Sequence, residues 1–245
     1  MPHGGPIVTR DATLLRQDLS AGLLGALLIV LWEMSGLDID VMRVFGGAHG
    51  FALRGAWWTS GLLHEGGRIV AWFLIGALVQ DAIRPWHSGP PRHQRWCWLA
   101  AILACALLVS AIKQLSATSC PWDLAEFGGH ATRLSHWRFD LRDGGSGRCF
   151  PSGHASAAFA FFGVYFLWRG HRPVAARLWL IGTGVAGLLL GLGQVARGAH
   201  FPSHVLWTAW LCWMLCALLA MLLSARPERE GTRRGTLEAN AHGSN

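Results

Sequence analysis

The residues of this chain best suited to chemistry lie in two short polar runs. Cys149-Phe150-Pro151-Ser152-Gly153-His154 stands at the mouth of one apolar segment, and Arg197-Gly198-Ala199-His200-Phe201-Pro202-Ser203-His204 at the mouth of another. Pro151 suits the first turn of a helix, Ser152 is a capping residue type, and Gly153 lets a ligand approach the backbone. The unpaired N–H groups of a helix start there form an anion site, with His154 in the first turn beside it. In the second run Arg197 and His200 are three apart and His200 and His204 four apart, so on a helix all three share a face. Lys113 leaves the end of a further apolar segment, just ahead of Cys120-Pro121-Trp122-Asp123-Leu124. Taken singly, each has a plainer account: a capped helix, a pair of interfacial histidines, a snorkelling lysine. Together they gather cations, a helix N-terminus and imidazoles without a carboxylate pair. That set suits a phosphate group, whose oxygens Lys and Arg hold while His attacks phosphorus or protonates the leaving oxygen. His200 and His204 also form an H-x3-H pair of metal-ligand spacing.

The elements that must position these residues are apolar. Six stretches approach the roughly 17–25 residues of a membrane-spanning helix: Leu19–Met34, Gly66–Val79, Cys97–Ile112, Ala155–Trp168, Leu178–Val195 and Val205–Leu223. The second is short and has Glu65 and Arg68 at its start. Arg84, Arg92 and Arg95 follow segment two, Arg169, Arg172 and Arg177 follow segment four, and Arg226, Arg229, Arg233 and Arg234 follow segment six. With six spans these lie on one side together with the N-terminus, and the positive-inside rule makes that side cytoplasmic. Both histidine runs then face the opposite side. The loop from Lys113 to Gly153 on that side is itself basic, against the simple rule; long loops cross regardless of charge, and an anionic ligand would be a functional reason for those charges. The polar, Gly-rich stretch 226–245 reads as a disordered tail after a domain of residues 1–225.

Composition agrees. Of 245 residues, 52% are hydrophobic and only 14% charged, and there are fourteen Trp against one Tyr. A soluble domain averages about 25% charged, and Trp favours the membrane–water interface. The formal charge of +7 is accounted for by basic cytoplasmic loops and anionic lipid, so nucleic acid is not an expected partner. Met1 to Ser20 lacks the apolar core of a cleavable signal. Cys97, Cys105, Cys212 and Cys216 fall in or beside apolar segments, where Cys is a small hydrophobe. Cys120 and Cys149 share the longest polar loop. In an oxidising compartment they could pair, for roughly 3–4 kcal/mol on the chain-entropy model; otherwise they are two free thiols.

The order Lys113, Pro151-Ser152-Gly153-His154, His200 resembles the type 2 phosphatidic-acid phosphatase (PAP2) superfamily, whose signature is K-x6-R-P, P-S-G-H and S-R-x5-H-x3-D. The version with C-P-W-D-L, C-F-P-S-G-H-A-S and G-A-H-F-x-S-H resembles a bacterial membrane-associated branch. Three positions depart from the signature: Cys120 and Gln194 stand where it has Arg, and His204 where it has Asp. Arg148 and Arg197 are the candidate replacements for the cations, and Asp123 or His204 for the carboxylate that orients a histidine. The resemblance implies an all-α, six-span bundle and a metal-free, cofactor-free lipid phosphatase of the inner membrane with its site facing the periplasm. In that reading His200 attacks phosphorus, His154 protonates the leaving oxygen, and Lys113, Arg148, Arg197, Ser152 and Gly153 hold the phosphate. A neutral His204 is expected to accept a hydrogen bond from His200. The substrate would be a lipid phosphate or diphosphate such as undecaprenyl diphosphate, lipid A or a phospholipid phosphate. No obligate protein partner is evident.

Other readings use the same residues. A phosphotransferase would pass the phosphoryl group to an acceptor lipid, and a non-catalytic relative would bind lipid phosphate without turnover. A zinc hydrolase on His154, His200 and His204 explains His204, but the neighbouring cations disfavour a dication.

Overall fold

The computed structural model describes residues 7–138 and 140–224. The chain runs through α1 (Ile7–Ser35), α2 (Leu37–Phe45), a minimal hairpin of β1 (Gly46–Gly47) and β2 (Gly50–Phe51), and a π-helix (Trp58–Gly66) that passes directly into α3 (Gly67–Ile83). It continues through α4 (Arg92–Leu115), α5 (Gly153–Phe159), α6 (Phe162–Trp168), α7 (Pro173–Ala196) and α8 (Pro202–Ser224). The expected all-α class is what the structure shows. The expected tail, 226–245, lies outside the described residues.

Among the described residues, five helical stretches are long and apolar enough to cross a membrane: Ala12–Ser35, Trp58–Ile83, Arg92–Leu115, Pro173–Ala196 and Pro202–Ser224. The sixth expected segment is the shorter Gly153–Trp168. It breaks between α5 and α6, where the N–H groups of Phe161, Gly163 and Val164 bond carbonyls three residues back, the tighter 3₁₀ pattern. Segment two begins at Trp58 rather than at the expected Gly66. Ser60, His64 and Glu65 interrupt the apolar run there without interrupting the helix.

Helix α8 is the hub, packed against α1, α4, α5, α6 and α7. Cys105 and Val109 of α4, Phe159 of α5, Val164 of α6 and Cys212 and Cys216 of α8 are buried together. Lipid is as apolar as this core, so close packing holds such helices together. On α7, Gly187 accepts the Phe159 ring and Gly191 accepts Val205: a Cβ on either glycine would lie 2.3 Å from its neighbour. Leu24, Leu28, Phe73, Leu107 and Ile181 point outward and exposed, as lipid-facing side chains do.

The two ends of the bundle differ. At one, Asp81 of α3 and Arg95 of α4 form a buried ion pair, and the Arg95 guanidinium lies 4.9 Å from the centroid of Trp168 at the end of α6. Asp18 of α1 holds Arg169. Of the three arginine groups that the sequence placed on one side, those after segments two and four share this end, Arg95 and Arg172 both reaching Trp168; Arg226 to Arg234 lie outside the described residues. His154, His200 and His204 occupy the other end.

Candidate active site

The site is built where α4 ends, α5 begins and α7 turns into α8. Lys113 stands in the last turn of α4. Its Nζ lies 3.8 Å from the place a Cβ on Gly153 would take, so the bare glycine backbone is what the ammonium faces. Ser152 precedes α5 but makes no side-chain cap there. Its N–H donates to the carbonyl of His204 at 3.2 Å, and its hydroxyl is buried with no partner. The expected capping role therefore does not hold: the N–H of Ser152 is taken by His204, and its Oγ is the polar group left unpaired.

The carbonyl of Cys149 organises the histidines. It lies 2.8 Å from Nδ1 of His200 and 3.0 Å from Nδ1 of His204. A carbonyl only accepts, so each Nδ1 carries hydrogen and, in the neutral ring, Nε2 carries the lone pair. The expected hydrogen bond from His200 to His204 is not formed. The two rings meet edge to face, centroids 5.9 Å apart, because both turn back onto the same stretch of main chain. His200 is fully buried. Burial, then the neighbouring charges of His204, Lys113 and His154, push its pKa well below 6.5, against the opposing effect of the Cys149 carbonyl.

Cys149 is disulfide-bonded to Cys120, the pairing the sequence left open. The N–H of Cys149 donates to Thr118 O (2.9 Å), that of Arg148 to Ser116 O (2.8 Å) and that of Trp122 to Gly198 O (3.0 Å). The segments after α4, before α5 and before α8 are thus laced into one framework.

His154 follows at the second position of α5, with its Nδ1 buried and unpartnered. The ring of His64, from the π-helix, packs against it at a tilt, with centroids 3.8 Å apart. His64 Nδ1 is 2.8 Å from Glu65 Oε1, and Arg68 reaches the same carboxylate at 3.2 Å. Single stretches of π-helix concentrate at functional sites.

The remaining candidates divide. Arg197 is half-buried. Its Nε donates to Arg54 O at 3.2 Å, and both guanidiniums lie over Trp122, at 5.7 and 4.4 Å from the ring centroid. Burial, then Arg54, pulls its pKa below the ordinary arginine value, and its charge reaches His154. Arg148 is exposed with φ 57°, and no hydrogen bond joins it to the histidines among the described residues. Asp123 accepts from Ser146 Oγ at 2.8 Å, and no hydrogen bond ties it to a histidine among the described residues. Gln194, which replaces a signature arginine, is buried with Nε2 unpartnered.

Donor atoms of Cys149, His200 and His204 lie within 4.8 Å of one another, the spacing of a metal site. The set does not fit a dication. The Cys149 sulfur is already bonded to Cys120, which leaves the set two imidazoles, fewer than the three protein ligands of a zinc site.

Sequence reading missed His64, Arg54 and Asp38. Asp38, buried on α2, accepts from the N–H of Ser203 at 2.9 Å and from its hydroxyl, and so caps the start of α8 and sets the height of His204. A usable signal was the charged His64-Glu65-x-x-Arg68 spacing inside an apolar segment, since ionisable groups at membrane depth mark function.

A family model described as the PAP2 superfamily matches residues 94–228. Phosphatidylglycerophosphatase B of Haemophilus influenzae is 29% identical over 93 residues, a match spanning 37% of this chain and 39% of that relative's length. The crystal structure of a transmembrane PAP2 type phosphatidylglycerolphosphate phosphatase from Bacillus subtilis has the same fold, with a TM-score of 0.51 at 18% identity over 88% of this chain and 98% of the other.

Proposed function

The chain belongs to the PAP2 superfamily, and on that premise we propose that it is a membrane lipid phosphatase working through a phosphohistidine intermediate. The observation that carries the reading is the Nδ1–H bond of His200 to the Cys149 carbonyl. It leaves Nε2 of a buried, neutral imidazole as a lone pair beside the Lys113 ammonium. Phosphoryl transfer asks for little covalent chemistry from a protein beyond positioning and charge, and these residues supply both.

In the proposed reaction Nε2 of His200 attacks phosphorus in line with the leaving oxygen. His154 gives that oxygen its proton, a role worth typically 10²–10⁴-fold. Lys113 and Arg197 balance the charge on the equatorial oxygens, with Ser152 Oγ and the Gly153 backbone beside them. His204 shares the Cys149 carbonyl and packs His200 from the side. Arg148 and Asp123 are given no role in this scheme. Water, deprotonated by His154, then opens the N–P bond and regenerates neutral His200.

The substrate is a lipid with an exposed phosphate or diphosphate, since the site lies at the end of a membrane bundle. The name of the Haemophilus relative makes phosphatidylglycerol phosphate the first candidate, with undecaprenyl diphosphate and lipid A next. The site faces the periplasm and both termini the cytoplasm, a topology supported by the arginines gathered at the opposite end. Reporter fusions at Asp140 and at the C-terminus test it and should report opposite sides.

Purified protein in detergent, given a panel of these lipids with and without EDTA, should release phosphate equally in both. The His200→Ala variant should release none. Loss of release on chelation would overturn the metal-free scheme, and silence on every lipid would overturn the phosphatase reading.

A further inference from the structure

The buried nucleophile of the proposed reaction is held by a backbone atom, and that atom belongs to a disulfide. His200 Nδ1 meets the Cys149 carbonyl at 2.8 Å and His204 Nδ1 meets it at 3.0 Å. Among the described residues no carboxylate bonds either ring. The carbonyl is placed from two directions. Its own residue is bonded through sulfur to Cys120, and Cys120 leads into Pro121 and Trp122, whose N–H donates to Gly198 O two residues before His200. Cys149 N–H meets Thr118 O at 2.9 Å. The disulfide therefore closes a short circuit from the nucleophile's turn, through the loop after α4, back to the nucleophile's acceptor.

We infer that Cys149 is the positioning residue of the nucleophile, acting through its main-chain oxygen, and that the Cys120–Cys149 disulfide holds that oxygen in place. An acceptor that shifts leaves His200 free to exchange tautomers and to rotate, and a displacement near 1 Å at a reacting group costs on the order of a hundredfold. Activity then follows the oxidation state of this pair. A dithiol reductant attacks the half-buried Cys120 sulfur, since Cys149 is fully buried. The S–S bond takes two electrons and two protons to become two thiols, and the reductant closes to its own disulfide. The inference rests on the phosphatase reading for its kinetic consequence, but not for the tautomer it assigns.

The test uses the full chain in detergent, oxidised, then reduced with dithiothreitol, then reoxidised. Phosphate release is read alongside ¹⁵N NMR of histidine-labelled protein. In the oxidised form His200 should show a protonated Nδ1 and a bare Nε2. Reduction should mix the tautomers, lower kcat by about tenfold to a hundredfold with KM changed by less than about threefold, and be reversed by reoxidation. Cys120→Ala/Cys149→Ala should behave as the reduced protein. If that variant does not fold, reversible reduction of the wild type decides alone. Unchanged tautomer and unchanged kcat on reduction overturn the inference and leave the phosphatase reading standing. Tautomer loss in a protein that releases phosphate from no lipid keeps the positioning role and overturns the phosphatase reading. Tautomer loss with kcat unchanged overturns the kinetic part of the inference.

Discussion

His64 packs against His154 with ring centroids 3.8 Å apart and planes inclined by 37°, while its Nδ1 is bonded to Glu65. The contact joins the π-helix of the second span to the first turn of α5. In the proposed reaction His154 must present one nitrogen to the leaving oxygen, and a flat neighbour fixed from behind limits its rotation. His64→Ala should lower kcat by roughly tenfold with little change in KM, and His64→Phe, which keeps the ring contact, should recover most of it. Steady-state kinetics on both variants check this. Equal loss in the two would assign His64 a proton or a charge instead.

Removal of the acid and of the cation should separate the two roles. His154→Ala is expected to cost about 10²–10⁴-fold in kcat, and least on a substrate whose leaving group needs no proton, such as an aryl phosphate. Lys113→Met should cost about 10²–10³-fold on every substrate. The ratio of lipid to aryl phosphate rates reads the difference.

The acid side of the pH profile should report His200. Only its neutral form attacks, and burial first, then nearby charge, holds its pKa well below 6.5. The nucleophile thus stays competent as pH falls past the ordinary histidine range, and the acid limb of kcat/KM should lie below 6.5. The sign for stability is the opposite: the unfolded chain takes up a proton near pH 6.5 that buried His200 refuses. Its contribution is whole above that pH and is lost as pH falls from there toward the folded value. Kinetics and thermal unfolding measured from pH 4 to 8 check both. A limb at 6.5 or above would contradict the assignment.

Asp38→Ala should loosen the start of α8. The carboxylate accepts from Ser203 N–H, Ser203 Oγ and Trp32 Nε1, and its loss leaves buried donors unpaired at about 1–3 kcal/mol. Thermal unfolding should show the drop, and kcat should fall with it, because His204 and His200 lie on the same turn.

Packing of α7 makes a sharper prediction. Gly187→Leu should destabilise the bundle by about 1–3 kcal/mol through overpacking, since a Cβ there already meets the Phe159 ring at 2.3 Å. Gly184→Ala, with nothing within 4 Å, should be neutral or slightly stabilising through helix propensity. Paired melts in one detergent decide it.

The helical class, the order of the six segments and the motifs that carry Lys113, His154 and His200 were legible in the sequence, because apolar length and local motif spacing are one-dimensional properties. The short second segment was misjudged for a local reason. His64 and Glu65 lower its hydropathy without breaking its helix, and the same two residues supply the neighbour of His154. What stands around the histidines only the tertiary structure decided. Sequence offered Asp123 and His204 as orienting groups and Arg148 as a cation. The fold turned Arg148 outward, bonded Asp123 to Ser146 and gave both imidazoles to the carbonyl of Cys149. A backbone carbonyl has no side-chain signature, and its direction depends on where a disulfide to a cysteine 29 residues earlier in sequence pins the chain. The capture of Ser203 by Asp38 spans 165 residues, and no periodicity or motif encodes a partner at that distance. Residue types set which chemistry was possible. The crossing of α4, α5 and α8 decided which atoms would face one another.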